Sequence, residues 1–267
     1  MTINFHDENN KFTYTTRIAD RDWNDLIKKY IHGDQFTALD LGCGGGIYSK
    51  VLSELGASNV IAMDFSRSNL EGTMANCKNF NNISYKQGNA LDTGLSNSSV
   101  DLILERALIH HITEIDLCFA EAVRILKPGG ILFVQDRTPE DCLLPGSETH
   151  IRGYFFEKYP RLIDQETRRR FSSDEVINAL TRNEFEMVEE VQFWEARKTY
   201  QEFSELEEDL RGRTGRSILH ELNDEEVEEL IQFIRTKLDE NIKVIQERDR
   251  WTIWIARKVE THDYKKH

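Results

Sequence analysis

The residues with the clearest chemical potential form one acid–glycine segment, Asp40-Leu41-Gly42-Cys43-Gly44-Gly45-Gly46. The apolar run Phe36–Leu41 leads into it, and a helix-like stretch from Ile47 follows it. Glycine has no Cβ, so a glycine-rich backbone turns tightly and lets a ligand approach closely. The segment therefore predicts a ligand-binding turn between a strand and a helix, with a tight turn that binds nothing as the alternative.

Two common nucleotide-binding patterns do not fit this segment. The dinucleotide fingerprint requires Gly or Ala at its sixth position. Counting from Gly42 gives Ile47 there, and counting from Gly44 gives Ser49. A P-loop requires Gly-Lys-Ser or Gly-Lys-Thr, which does not follow. The spacing thus argues against NAD and against a P-loop nucleotide.

Short apolar runs alternate with helix-like stretches through residues 36–137. The runs are Phe36–Leu41, Val60–Phe65, Ile83–Gln87, Val100–Leu104 and Ile131–Val134. This alternation predicts an α/β fold in which a parallel sheet is covered on both faces by helices. A helix is predicted over 113–126, and the segment Lys127-Pro128-Gly129-Gly130 is predicted to end it before the last run. Open α/β sheets bind ligands beyond the carboxyl ends of their strands, which is where the glycines fall.

The second half of the chain is less regular. Its predicted elements are a capped helix from Ser172 to about Asn183, a strand at 187–195, helices at 201–211 and 223–247, and a strand at 251–256. No Pro/Gly/Ser-rich linker separates the halves. We therefore expect a single domain over residues 1–267, with 36–137 as its ligand-binding half and with helical insertions at 138–171 and 197–250.

Four motifs together resemble the class I S-adenosylmethionine-dependent methyltransferases, in the type 11-like branch that acts on small molecules. The acid–glycine segment resembles the first motif of that family. Gly88-Asn89-Ala90 stands where the family usually has Gly-Asp-Ala, Val100–Glu105 resembles the fourth-strand motif, and Leu126–Gly130 resembles the turn before the fifth strand. The resemblance implies a Rossmann-like, doubly wound, mostly parallel seven-stranded sheet. It also implies S-adenosyl-L-methionine as the cofactor and S-adenosyl-L-homocysteine as its product.

The resemblance carries over to single residues. The cofactor-binding residues it implies are Arg17, Asp40, Gly42, Cys43 (through its backbone), Gly44, Asp64, Phe65, Asn89, Ala90 and Glu105. Asp64 would accept bonds from the ribose hydroxyls, and Phe65 would lie against the adenine. Asn89 departs from the family's acid, but its side-chain oxygen still accepts from the adenine amino group. Glu105 would meet the amino group of the methionine moiety, by side chain or backbone carbonyl. Arg17 would reach the carboxylate, an ordinary surface arginine being the alternative.

His110 is the candidate catalytic residue. It stands five residues after Glu105, in the loop that faces the transferred methyl group in the enzymes this chain resembles. Histidine titrates near neutrality and can act as a general base, although a histidine that only supports the loop is the alternative. His110 and His111 make a poor joint metal site, because neighbours in a strand point to opposite faces. We expect no metal.

The insertions at 138–171 and 197–250 are the segments in which we look for residues that bind the methyl acceptor. They contain Tyr154, Arg168-Arg169-Arg170 and a second arginine-rich stretch at 211–216. We expect them to form a lid and to line the acceptor pocket. Their arginines either bind an anionic small molecule or pair with nearby acidic residues.

Charge and composition narrow the function further. Lys and Arg number 34 against 47 Asp and Glu, a net charge of −13, which argues against nucleic acid as a partner. The four cysteines form no Cys-x-x-Cys pair, and no membrane-spanning run or secretory leader is visible, so a cytoplasmic location is expected. The sequence thus predicts a transferase that moves a methyl group to a small-molecule acceptor by in-line displacement. Protein or RNA methylation, or a non-catalytic S-adenosylmethionine-binding module, are the alternatives. The oligomeric state stays open.

Overall fold

The computed structural model describes residues 21–31, 35–239, 242 and 244–260. In this part of the chain the strands are β1 (Phe36–Leu41), β2 (Ala57–Asp64), β3 (Ile83–Gln87), β4 (Val100–Arg106), β5 (Leu126–Asp136), β6 (Phe185–Tyr200) and β7 (Ile245–Lys258). The helices are α1 (Arg21–Lys28), α2 (Ile47–Glu54), α3 (Arg67–Asn76), α4 (Ile115–Ile125), α5 (Pro139–Cys142), α6 (Gly153–Lys158), α7 (Leu162–Thr167), α8 (Ser173–Arg182), α9 (Phe203–Arg211) and α10 (Asp224–Lys237). Short 3-10 helices lie at Ile109–His111 and Ser217–Glu221.

The strands form one seven-stranded, mostly parallel sheet in the order β3-β2-β1-β4-β5-β7-β6. Parallel pairing joins β3 to β2, β2 to β1, β1 to β4 and β4 to β5. The central strands are apolar on both faces, as strands are when helices cover both sides of a sheet. The predicted α/β, Rossmann-like fold is confirmed.

The register brings the carboxyl ends of five strands to one edge of the sheet. Leu41 stands opposite Met63 in β2 and opposite Glu105 in β4. Asp64 stands opposite Gln87, and Arg106, the last residue of β4, stands opposite Gln135 in β5. The residues predicted to bind a ligand lie in the loops after these strands, so they are located along the same edge of the sheet.

One sequence prediction about an element boundary is wrong and another is confirmed. The helix predicted over 223–247 ends at Lys237, and β7 begins at Ile245. Leu238 and Ile245 keep the apolar periodicity and are buried, but in extended backbone, so periodicity alone could not place the helix end. The helix before residues 127–130 ends at Ile125, as predicted, but these residues lie within β5, where the pairing with β4 shifts register.

The chain divides into two compact units. The sheet unit comprises the described residues through Asp136, together with Ser173–Val191 and the residues from Ile253 onward. The insertion unit comprises Arg137–Ser172 and Gln192–Thr252, and it has a hydrophobic core of its own built from α6, α7, α9 and α10. Most of both predicted insertions belongs to this second unit.

Inside the insertion unit, three residues from the segments predicted to line the acceptor pocket make contacts that support the fold of the unit. Tyr154 is buried in the core of that unit and contacts Phe233 edge to face. Arg213 donates to the backbone carbonyls of Leu219 and Leu222, so it holds a loop. Arg216 is buried and donates to Asp209 and Glu247.

Candidate functional site

The glycine loop adopts backbone conformations that other residues rarely reach. Gly42, Gly44 and Gly46 have φ of 78°, 53° and 75°, all in the left-handed region. A Cβ at Gly46 would stand 2.6 Å from Cγ2 of Thr73. A Cβ at Gly44 would meet no atom within 4 Å, so this backbone surface is open to a ligand.

Side chains at the end of helix α3 form hydrogen bonds with the backbone of the glycine loop. Thr73 donates its hydroxyl to the carbonyl of Gly44 at 2.5 Å, and the Asn76 amide donates to the carbonyl of Gly45 at 2.7 Å. Cys77 lies next along this face, with Sγ 3.4 Å from the Gly46 carbonyl. The first two contacts satisfy the Gly44 and Gly45 carbonyls, and the Gly46 carbonyl also accepts from the backbone N–H of Lys50. The loop is therefore held in shape before any ligand binds.

Asp64, at the end of β2, joins the loop to the start of α3. Its carboxylate accepts from the backbone N–H of Gly44 at 2.9 Å and of Ser66 at 2.8 Å, and from the side-chain amide of Asn69 at 3.2 Å. These bonds tie the end of β2 to both the glycine loop and the first turn of α3. The residue predicted to bind ribose is therefore also a support of the glycine loop.

The residues predicted to contact adenine lie beyond β2 and β3. Phe65 directly follows Asp64 and is 63% exposed. Asn89 is exposed, and its side-chain oxygen accepts from the backbone N–H of Leu91 at 3.0 Å in a turn. Ala90 is the next residue in that turn and is partly buried. The surrounding turn fixes the direction of the Asn89 side chain.

Asp40 and Cys43 lie beneath the loop rather than on its surface. The Asp40 carboxylate accepts from the Ser49 hydroxyl at 2.5 Å and is fully buried, and burial raises its pKa to about 6. Burial, with Asp40 and Asp64 nearby, raises the pKa of the Cys43 thiol well above its ordinary value. The Cys43 side chain is thus an unreactive thiol, which agrees with a role for its backbone alone.

Glu105 is buried within β4, next to the glycine loop in the sheet. Its side chain is 0% exposed; Oε1 lies 3.6 Å from Sγ of Cys118, and Oε2 has no hydrogen-bond partner among the described residues. Burial raises the pKa of this carboxyl to about 7. The unpartnered Oε2 is a buried acceptor beside the glycine loop.

His110 lies in the 3-10 helix after β4 and pairs with Asp136, the last residue of β5. Its Nδ1 lies 2.8 Å and 3.0 Å from the two carboxylate oxygens, and its backbone N–H also donates to Asp136. Asp136 is 1% exposed, so the pair is shielded from water on the aspartate side. A carboxylate at Nδ1 favours the tautomer that carries its lone pair on Nε2, as a general base requires.

The two adjacent histidines do not point to opposite faces, as a strand would require. Their ring centroids are 3.9 Å apart because the segment is a 3-10 helix. Within the ranges that the structure describes, no group of three His, Cys, Asp or Glu side chains is arranged to hold a metal ion. In the same ranges no helix has the length and apolarity needed to cross a bilayer.

Three supporting residues escaped the sequence reasoning: Asp136, Thr73 and Asn76. Asp136 could have been found, because it is an acid at the end of a predicted strand, on the same edge as Asp64. Thr73 and Asn76 carry no signal of their own, since ordinary helix positions do not reveal which loop they face. Arg17, predicted to reach the cofactor's carboxylate, lies outside the described residues.

Comparison with known proteins places the same stretch in a methyltransferase family. A family described as a methyltransferase domain matches residues 39–134. The ubiquinone biosynthesis O-methyltransferase of Mesorhizobium japonicum is 35% identical over 97 residues, which are 36% of this chain and 39% of that protein. The match thus spans well under half of that relative. It confirms the class I methyltransferase resemblance for the glycine-loop region.

Solved structures resemble the chain over a greater length. The YcgJ protein of Bacillus subtilis covers 90% of this chain with a TM-score of 0.61 and 20% identity, and all of that protein is covered. An S-adenosylmethionine-dependent methyltransferase of Mesorhizobium loti covers 88% of this chain with a TM-score of 0.53 and 16% identity, with 96% of it covered. At these identities the likeness supports the fold alone.

The glycine loop allows a matched test of backbone strain. We expect Gly46→Ala to lower the free energy of unfolding by about 2–4 kcal/mol, because the new methyl group meets Thr73 and the φ is left-handed. Gly44→Ala adds a similar left-handed cost but no clash, so a loss of about 1 kcal/mol is expected. Urea unfolding of both variants measures the difference; equal losses would contradict the contact assigned to Gly46.

Glu105 predicts a pH dependence of stability. The unfolded carboxyl loses its proton near 4.5 and the folded one near 7, so unfolding between these values releases a proton and stability falls as the pH rises. Glu105→Gln should therefore raise the free energy of unfolding at pH 8 by about 1–3 kcal/mol and change it little at pH 4. Denaturant unfolding at both pH values, with Glu114→Gln as an unburied control, tests this; an equal effect at both would refute it.

Proposed function

We propose that this chain, whose residues 39–134 form a class I methyltransferase domain, is an S-adenosylmethionine-dependent enzyme that methylates a small molecule. The observation that carries the proposal is the open glycine loop next to Asp64, at the same sheet edge as the His110–Asp136 pair. One half of this arrangement fits a cofactor, and the other half fits removal of a proton from an acceptor.

The residues present fit S-adenosylmethionine at this edge. Gly44 offers open backbone surface, the Asp64 carboxylate is an acceptor of the type that ribose hydroxyls require, and the ring of Phe65, which is 63% exposed, offers a stacking face for adenine. The unpartnered Oε2 of Glu105 matches an ammonium group. When bound, the cofactor supplies an electrophilic methyl group on a sulfonium, which leaves the protein to position the acceptor.

The chain's own contribution to the reaction is positioning and proton removal. His110 takes the proton from the acceptor through Nε2, because the Asp136 carboxylate holds Nδ1. Asp136 keeps the ring oriented and stabilises the imidazolium that forms, without becoming protonated itself. Asp136 is thus a positioning residue and His110 the catalytic one.

A small-molecule acceptor is the reading that the matches support best. The Mesorhizobium japonicum relative is named as an O-methyltransferase of ubiquinone biosynthesis, which is a small-molecule reaction. The net charge of −13 argues against RNA as the acceptor, because binding to a phosphate backbone requires a basic surface. An oxygen acceptor also agrees with a histidine base, because a hydroxyl must lose its proton as the methyl group arrives.

Cofactor binding gives the first test of this function. Titration calorimetry should show binding of S-adenosylhomocysteine and none of NAD. Asp64→Ala should weaken that binding by about 1–3 kcal/mol, since charge-assisted bonds to ribose and the support of Gly44 are both lost. Asp101→Ala removes a carboxylate that pairs with Lys127 at the start of β4, so it should leave the affinity unchanged. An unchanged dissociation constant in folded Asp64→Ala would remove Asp64 from the site.

The base is tested with cofactor labelled in its methyl group and the small-molecule fraction of a cell lysate as acceptor. His110→Gln should lower the methyl-transfer rate about 100-fold or more, while the exposed neighbour variant His111→Gln keeps it. Asp136→Asn should lower the rate about tenfold or more and alter its pH profile, because the ring loses its charged partner. Wild-type rates in His110→Gln would leave that histidine as a loop support.

A further inference from the structure

The loop after β3 carries Asn89 and Ala90, the two residues predicted to contact adenine beyond that strand. We call residues 88–95 the β3 loop. Most of the connection from β3 to β4 is exposed or half-buried. Within residues 84–99, all of which the structure describes, Thr93 alone is buried, with 1% of its surface exposed. Thr93 is therefore the residue through which the β3 loop reaches the interior of the sheet unit.

Thr93 meets a buried carboxylate on α4, that of Glu121. Oε1 of Glu121 accepts from the backbone N–H of Thr93 at 2.7 Å and from the Thr93 hydroxyl at 2.5 Å. The same hydroxyl accepts from the backbone N–H of Leu95 at 3.2 Å. Thr93 thus joins the β3 loop to α4 by two bonds and braces the end of the loop by a third.

Arg124 holds the Glu121 carboxylate in place. It lies about one turn farther along α4, and its Nε and Nη2 donate to Oε2 and Oε1 at 2.7 Å each. Burial raises the pKa of Glu121, but the bonds from Arg124 and Thr93 outweigh it and bring the pKa below its ordinary value. The carboxylate is therefore ionised at neutral pH, and hydrogen bonds to an ionised acceptor are stronger than neutral ones.

The other contacts of the β3 loop leave Thr93 as its main anchor at the far end. The loop begins at Gly88, whose backbone N–H donates to the carbonyl of Asp64 at 3.1 Å. Near the end of the loop, the Lys86 ammonium donates to the Gly94 carbonyl at 2.9 Å, but this bond is exposed to solvent. Exposed contacts of a charged side chain stabilise little, whereas the Glu121 contact is buried. Asn89 and Ala90 lie between the anchored ends.

Hydrogen bonds inside the β3 loop connect Thr93 to Asn89. The backbone N–H of Asp92, the residue before Thr93, donates to the Asn89 carbonyl at 3.1 Å. Oδ1 of Asn89 accepts from the backbone N–H of Leu91 at 3.0 Å. An amide oxygen has two lone pairs, so Oδ1 can accept from an adenine amino group in addition to Leu91. The direction of that acceptor depends on a turn that Glu121 anchors through Thr93.

We propose that Glu121 and Thr93 are positioning residues for the cofactor. By fixing the β3 loop they direct Asn89 to the amino group of adenine, and they thereby give the site its preference for adenine over a purine that lacks this group. Hydrogen bonds weaken steeply with misalignment, so the same acceptor on an unanchored loop would discriminate poorly. The inference rests on the proposed function, because it assigns the loop a role in binding S-adenosylmethionine.

Hydrogen exchange on the protein without ligand tests the anchoring. The backbone N–H of Asp92 should exchange about tenfold faster or more in Thr93→Val than in the wild type, while that of Leu104 in β4 keeps its rate. The hydroxyl is lost in this variant, but the shape of the side chain is kept. Equal exchange of Asp92 in the two proteins overturns the proposal.

Calorimetry with two ligands tests the effect on the site. S-inosylhomocysteine carries an oxygen where S-adenosylhomocysteine carries the amino group, so it offers Asn89 no donor at that position. The wild type should bind S-adenosylhomocysteine about tenfold more tightly or better than the inosine analogue. Thr93→Val should reduce this ratio to about threefold or less, mainly by weakening the binding of S-adenosylhomocysteine. Glu121→Leu removes the acceptor oxygens of the same contact and should reduce the ratio in the same way.

Two further variants are the controls. Thr93→Ser keeps the hydroxyl and should keep the wild-type ratio. Thr181→Val removes a threonine hydroxyl that donates to the Ile177 carbonyl within α8, and it should also keep the ratio.

The outcomes separate this inference from the proposed function. If folded Thr93→Val and Glu121→Leu keep the wild-type ratio, or lose affinity for both ligands by the same factor, the contact is a structural support and the proposal is overturned. If the wild type binds the two ligands equally, the proposal falls while the proposed function stands. If the wild type binds neither ligand, both fall together.

Discussion

The candidate site depends on one carboxylate, that of Asp64, which accepts from Gly44 in the loop and from Ser66 at the start of α3. Without this link, a run of glycines would pay a large entropy cost to hold a single shape. Thr73 and Asn76 then close the loop from the other side. The backbone that would face a ligand is thus fixed by contacts behind it, which leaves its front at Gly44 open.

The same principle explains the His110–Asp136 pair. Its members come from loops and strand ends 26 residues apart, and they meet because β4 and β5 are parallel neighbours with a common carboxyl edge. Parallel pairing therefore does more than form a core: it delivers side chains from distant parts of the chain to one place. In the proposed reaction, a histidine oriented in this way has its tautomer set before the acceptor arrives, which reduces the reorganisation that proton transfer requires.

Much of the fold was readable from the sequence, because apolar runs and glycine breaks are local signals. The strand Ile83–Gln87 was predicted with its observed bounds, and the glycine loop was placed correctly between β1 and α2. The end of α10 was not, since Leu238 and Ile245 are buried whether the backbone is helical or extended. The Asp136 partner of His110 was missed for a different reason: a pairing between strands depends on register, which the sequence does not state.

The buried ionisable groups of this chain are of two kinds: some face an opposite charge, and others have polar atoms without a hydrogen-bond partner among the described residues. Where the fold needs them, as with Arg216 and Glu247, each charge faces an opposite charge at hydrogen-bond distance. Where they are incomplete, as with Oε2 of Glu105, Nη1 of Arg152 and the His150 ring, the protein keeps polar groups dry at a cost in stability. No residue type distinguishes these cases, since Arg152 and Arg216 are alike in the sequence and in burial. The difference lies in the partners, so an unmet buried acceptor, such as Oε2 of Glu105, directs attention to a ligand more specifically than an arginine-rich stretch does.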